Sequence, residues 1–175
     1  MRQAIRTFAS AALPLAVGLL FSLCSIAQQV PKNLQPAANE RRFLILHAKG
    51  VQIYSCKVDG GKYSWTLKGP EAQLFDKSGK PFGKHFAGPS WESNDGSSVT
   101  GKAVADVPFP DGRILPWLQL TAVSHTGEGV LARVTSIQRI NTKGGILHAS
   151  GCDAAHAGQE DRVPYSADYV FFAPK

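Results

Sequence analysis

The chain has 175 residues, 43% of them hydrophobic and 18% charged, which is the composition of one globular domain and excludes a disordered chain. Its formal net charge is +6, but the basic residues are scattered among acids, with no basic run and no basic stripe interleaved with aromatics. That argues against nucleic-acid binding. Plain solubility is the reading preferred, over attraction to an anionic cell surface or polymer.

The first 27 residues read as a signal peptide. Arg2 and Arg6 make a positive start, Phe8–Leu23 carries no charge, and Ser25-Ile26-Ala27 offers small residues to a signal peptidase. Cleavage after Ala27 predicts export, to the periplasm or the medium. The apolar run is about 16 residues, short of the ~20 that span a bilayer, and Pro14 and Gly18 interrupt it, so no stable membrane span is expected after cleavage. Cys24 follows Leu23, where lipidation motifs want a small residue, and lipidation is not expected. Removing Arg2 and Arg6 leaves 17 of the 19 basic residues against 13 acidic ones.

Residues 28–40, with Pro31 and Pro36, read as an extended lead-in to a single β-rich domain over 41–175. Arg42–Ala48 and Val51–Cys56 read as two strands joined by a turn at Lys49-Gly50. Asp59-Gly60-Gly61 is a further turn, and Tyr63–Leu67 alternates. Gly69-Pro70 breaks the chain before a short strand at Ala72–Asp76. Phe82–Phe86 follows the turn at Lys77–Lys80, and Gly88-Pro89 breaks the chain again before Ser90–Ser93. Asn94-Asp95-Gly96 is a strong turn signal, and Ser98–Asp106 is strand-like, with Gly101 as a bulge. After the Pro108–Gly112 loop, Leu115–Val123 and Val130–Ile140 read as the two longest strands, paired as a hairpin across His125–Gly129. Lys143 to about Arg162 reads as loop, the place for any short helix. Tyr165–Phe172 closes the chain, with Tyr165, Ala167, Tyr169 and Phe171 on one face.

Strand signals recur about every eight to twelve residues, with almost no helical periodicity. The predicted fold is all-β: a β-sandwich or a closed β-barrel of about eight to ten short antiparallel strands, with little helix outside the signal peptide.

Without the signal segment, two cysteines remain. In an oxidising compartment the even pair, Cys56 and Cys152, reads as one disulfide, worth ~4 kcal/mol for so long a loop. The rival is a metal site at His148, Cys152 and His156. That spacing needs a helix, and Ala149-Ser150-Gly151 is a poor helix start, so the disulfide is preferred and no metal is expected.

Several stretches in order resemble a known family. They are Phe43–Cys56, Gly83–Glu92, Ile114–Leu118, Ile137–Gly145, Ser150–Asp153 and Val163–Tyr169. Together they are similar to the domain of unknown function 3455 family of bacterial and fungal proteins, which are commonly exported. The resemblance covers nearly all of the mature chain. It implies no activity, cofactor or catalytic residue, and it supports the pairing of Cys56 with Cys152, since both lie inside matching motifs. A dehydrogenase label attached to related fungal sequences finds no support, because no Gly-x-Gly-x-x-Gly follows a strand and opens a helix. No cofactor is implied.

The densest polar constellation is His85, Trp91, Glu92 and Asp95. An imidazole held by a carboxylate is a general base, and two facing carboxylates suit glycoside hydrolysis. Against this, Asp95 reads as a turn residue, Glu92 as a partner of Arg139 or a lysine, and His85 as a histidine bonded under a loop. Trp65, Trp91 and Trp117 are flat faces for a sugar or ring, or simply core. Arg139, in a central strand, calls for a carboxylate, with Glu92, Asp153 and Asp168 as candidates. Nucleophile motifs such as Gly-x-Ser-x-Gly are missing.

The favoured expectation is a non-catalytic binding or envelope-associated module with a polar-aromatic pocket at His85, Trp91, Glu92, Asp95, Trp117 and Arg139, for a small-molecule or glycan ligand. The alternatives are a hydrolase or lyase using His85 with Glu92 or Asp95, and a structural or interaction protein.

Overall fold

Eight strands follow one another in the computed structural model, which describes residues 29–148 and 150–175. They are β1 (Glu40–Asp59), β2 (Lys62–Phe75), β3 (Pro81–Phe86), β4 (Ser90–Ser93), β5 (Ser98–Val107), β6 (Trp117–Thr126), β7 (Ser136–Gly144) and β8 (Glu160–Pro174). Each is antiparallel to the next, and β8 returns to pair with β1, so the sheet closes into a barrel. The segment read as a signal peptide, with Cys24, lies outside the described residues. No helix among the described residues is long and apolar enough to cross a membrane.

Two-residue alternation decides what the barrel holds. Cross-strand partners share a face, so Ala48, Leu74, His85, Trp91, Val99, Leu120, Ile137 and Phe171 all belong to the inner set. Tyr165, Ala167, Tyr169 and Phe171 are all buried on that face, as their spacing predicts. The neighbours one residue along are polar: Lys49 pairs with Gln73, Gln73 with Lys84, and Lys84 with Glu92. Across this part of β1–β4 the inside is mostly apolar and the outside polar, the reverse of the pattern on a lipid-facing barrel.

The strands are fewer and longer than the sequence breaks suggest. Gly50 makes no turn: β1 runs through it as one 20-residue strand. A Cβ there would lie 2.1 Å from the Glu71 carbonyl oxygen, so glycine serves close approach of two strands. Gly69-Pro70 likewise interrupts nothing. Ile53 pairs with Gly69 and Tyr54 with Leu67, which leaves Lys68 as an extra residue in a bulge. The left-handed φ of 146° at Gly69 absorbs that kink.

The β6–β7 hairpin pairs as expected, but its strands, of 10 and 9 residues, are shorter than β1, β2 and β8 and so are not the longest, and the second starts at Ser136 and not at Val130. Residues 130–135 fold inward instead, and Leu131 and Val134 join the core. Among the described residues no helix forms between Lys143 and Arg162, and their one helical turn, a 3₁₀ turn at Lys32–Leu34, lies in the lead-in. Leu34 is fully buried, and its carbonyl accepts a hydrogen bond from Gln138 Nε2.

An up-and-down barrel has two distinct ends. One carries the β2–β3, β4–β5 and β6–β7 connections and is plugged by Leu131 and Val134. The other carries the β1–β2, β3–β4, β5–β6 and β7–β8 connections. There Cys56 and Cys152 form a disulfide with Cα atoms 5.3 Å apart, which fastens the β7–β8 loop to β1. Backbone bonds between Cys56 and the Gly158–Gln159 pair reinforce the join.

Cys152→Ala should lower the unfolding free energy by about 2–5 kcal/mol, because the bridge closes a long loop of the unfolded chain. Urea denaturation of the variant beside oxidised wild type measures this, and equal midpoints would refute it.

Candidate functional site

At the disulfide end the barrel interior is not filled. A cavity of about 380 Å³ opens there between β1, β2, β3, β5, β6 and β7. Leu67, Pro70, Leu118 and Leu120 form its apolar walls, and Ala103 stands exposed on the rim. Gln52, His85 and Arg139 supply polar groups, and Lys68, paired with Glu160 at 2.6 Å, also lines it.

His85 sits on β3 opposite Trp91 of β4. The two rings stack 4.6 Å apart, and Tyr169 leans on the imidazole at 4.7 Å. Trp91 in turn meets Tyr169 and Phe171 edge-on, so an aromatic floor lies between the cavity and the core below. His85 Nδ1 lies 2.8 Å from the Ser90 carbonyl oxygen. A carbonyl only accepts, so Nδ1 carries the proton and Nε2 keeps its lone pair. Burial, opposed by the bond to Ser90 and aided by the Arg139 charge, pushes the ring's pKa down to about 3. The imidazole is therefore neutral near pH 7.

Arg139 of β7 projects from between Leu118 and Tyr169. None of the three carboxylates expected to neutralise it does so. Glu92 faces outward and pairs with Lys84 at 3.0 Å; Asp153 holds His156, and Asp168 holds His47. Arg139 instead donates from Nε and Nη2 to the Pro116 carbonyl oxygen, at 3.1 and 3.0 Å. Around it, Gln52 Oε1 is buried and forms no hydrogen bond among the described residues. The Tyr165 and Tyr169 hydroxyls, also buried, have each other and Arg139 as polar neighbours, but none close enough for a well-formed hydrogen bond. Burial raises both tyrosine pKa values, while the Arg139 charge lowers them, so both hydroxyls stay protonated. The Tyr54 hydroxyl, also under the influence of Arg139, donates to the Gly145 carbonyl and ties the β7–β8 loop to the mouth.

Of the six residues expected to share a pocket, His85 and Arg139 line the cavity and Trp91 supports its floor. The other three lie elsewhere. Glu92 is on the opposite face of the sheet from His85, because it neighbours Trp91 in a strand. Trp117 is on the outer face, buried against Phe109. Asp95 is at the plugged end, in the β4–β5 turn. Its Oδ1 accepts from the Ser97 amide and hydroxyl, and its Oδ2 from the Val130 amide, while Ser97 Oγ accepts from the Leu131 amide. Asp95 and Ser97 thus pin the inward-folded loop, and those bonds hold the Asp95 carboxyl well below the usual carboxylate range. Trp65, Trp91 and Trp117 form no common surface. Cys152 is in the disulfide, so it is no thiolate for a metal with His148 and His156.

Gln52 escapes sequence reading, since a lone glutamine in a strand resembles a solvent-facing residue. The His47 contact is also missed. On the outer face His47 Nδ1 meets Asp168 Oδ1 at 2.5 Å, and Asn141 donates to the other oxygen at 2.8 Å. Asn141 adopts a left-handed φ of 52° there.

A family model described as "Protein of unknown function (DUF3455)" matches residues 36–173. No curated protein and no solved structure matches the chain.

Two predictions follow from these environments. Unfolded, His85 takes up a proton near pH 6.5; folded, it resists until about pH 3. Between those values the unfolded chain binds more protons, so stability falls as pH drops. Asp76, Asp95 and Asp153 are held low, and their contributions fade only around and below pH 3.8, through a lower window. Denaturation at about pH 7 and about pH 5 should show wild type weakening more than His85→Gln; equal losses would contradict the assignment. Separately, Asp95→Ala should speed amide exchange at Val130 and Leu131 while leaving β8 protected. Unchanged exchange would mean the loop holds without its anchor.

Proposed function

As the chain belongs to the family described as a protein of unknown function, DUF3455, we propose its role from the barrel itself: a binding module that holds a small molecule in the mouth cavity. The observation that carries this reading is one apolar-walled recess lined by the Arg139 cation and by Gln52, whose buried side-chain oxygen has no hydrogen-bond partner among the described residues. Buried polar groups ordinarily find partners, and leaving one unmade costs about 1–3 kcal/mol. A site retained at that cost fits a ligand that supplies the missing partners. The volume also lies within the range of small-molecule pockets.

We place the protein outside the cytoplasm, in the periplasm or the medium. The charge pattern of the first 27 residues supports this, and so does the disulfide. The polar outer face of the barrel fits a surface in water. The hydrolase or lyase reading loses its supporting pair, because neither Glu92 nor Asp95 shares a space with His85.

Saturation-transfer NMR against small organic molecules of mixed charge tests the proposal. Ligands that bind should compete with one another for one site. Ala103→Trp, which fills the rim without touching the core, should weaken them about tenfold or more. Binding that survives this variant, or no binding at all, would overturn the mouth cavity as the site.

A further inference from the structure

This inference rests on the mouth cavity as the binding site and concerns what it takes. We propose that the ligand is an organic monoanion, a carboxylate on a small apolar body, seated with its carboxylate against Arg139.

Charge comes first. A guanidinium stays ionised at any physiological pH. Among the described residues no carboxylate pairs with Arg139, and each of the acids expected to do so is engaged elsewhere. Of the other polar groups lining the cavity, Gln52 and neutral His85 add no charge and Lys68 is already paired with Glu160 at 2.6 Å; the protonated Tyr165 and Tyr169, buried next to Arg139, add none either. The recess therefore carries one uncompensated positive charge beneath low-dielectric walls, where an anion gains most. One negative charge balances it; a dianion would bring a second with no counterpart.

Geometry comes next. The Nε and Nη2 atoms grip the Pro116 carbonyl and so fix the guanidinium plane. That leaves Nη1 and the second hydrogen of Nη2 as a parallel pair of donors at the end of the fork. Two coplanar acceptor oxygens match that pair, which is the shape of a carboxylate. Gln52 lines the same recess as a neutral polar group.

The walls set the rest of the molecule. Leu67, Pro70, Leu118 and Leu120 offer a polyol nothing to bond with, so a sugar would lose the hydration of its hydroxyls. An aliphatic or aromatic body gains from the same surface. An amine is repelled by Arg139.

Isothermal titration of the purified protein with two carboxylates, benzoate and hexanoate, beside their amides, benzamide and hexanamide, decides the matter. The amides copy shape and remove charge. At least one carboxylate should bind about tenfold or more tighter than its amide, and Arg139→Gln should erase that advantage by weakening the carboxylate far more than the amide. The comparison in wild type needs no variant and stands even if Arg139→Gln is unstable. Arg139→Lys, which keeps the charge and loses the fork, should retain part of the preference. Amides that bind as tightly as their acids in wild type, with both displaced by Ala103→Trp, would overturn the anion inference and leave the cavity reading intact. Failure of all four to bind, or binding indifferent to Ala103→Trp, would overturn both.

Discussion

Strand β1 hydrogen-bonds along both edges, to β2 on one side and β8 on the other, and this closure fixes which residues face inward. A closed ring has no free edge to slip along. Shifting one strand by one residue would turn its whole inner set to water. The inner set includes Trp91, Tyr169 and Phe171, so such a slip is prohibitive. The bulges in β1 and β2 occur inside this closed framework, where they bend the wall without disturbing the pairing farther along.

Within that framework the interior changes character along the axis. Leu46, Leu74, Val99, Leu131 and Val134 fill the plugged end with apolar side chains. Toward the disulfide end come Gln52, Tyr165, His85 and Arg139. The stack of His85 on Trp91 is the boundary between the two regions. Above it, among the described residues, lie a buried glutamine oxygen without a hydrogen-bond partner and a cation without a carboxylate; below it the interior is apolar. A domain selected for stability alone would replace the upper polar groups with aliphatic ones.

Much of this was legible in the sequence, and what was not has identifiable physical causes. Alternation in Tyr165–Phe172 reads correctly because every inner residue there is apolar or aromatic. The Asn94-Asp95-Gly96 turn reads correctly because turn chemistry is local. Gly50 misleads because a glycine that lets two backbones approach looks the same in sequence as one that reverses the chain. With β1 cut there, the apolar Val51 and Ile53 would turn Gln52 outward; the unbroken strand carries it in. His85 and Arg139 were identifiable as polar residues in strands, but their convergence depends on pairing through five different strands. The grouping of Glu92 with His85 fails on parity: Trp91 shares the face of His85, so its neighbour cannot. Asp95 was legible as a turn residue, but not as the anchor of a loop far along the chain.

Among the described residues, the plug formed by Leu131 and Val134 leaves the recess one open end. Whatever occupies the recess leaves by the path it arrived on, and it must do so last part in, first part out. A rim side chain that never touches the settled occupant then changes arrival and departure by the same factor. Such a rim position sets how fast the recess exchanges its contents at constant affinity, whereas the floor, the walls and any rim side chain large enough to reach inside change how tightly they are kept.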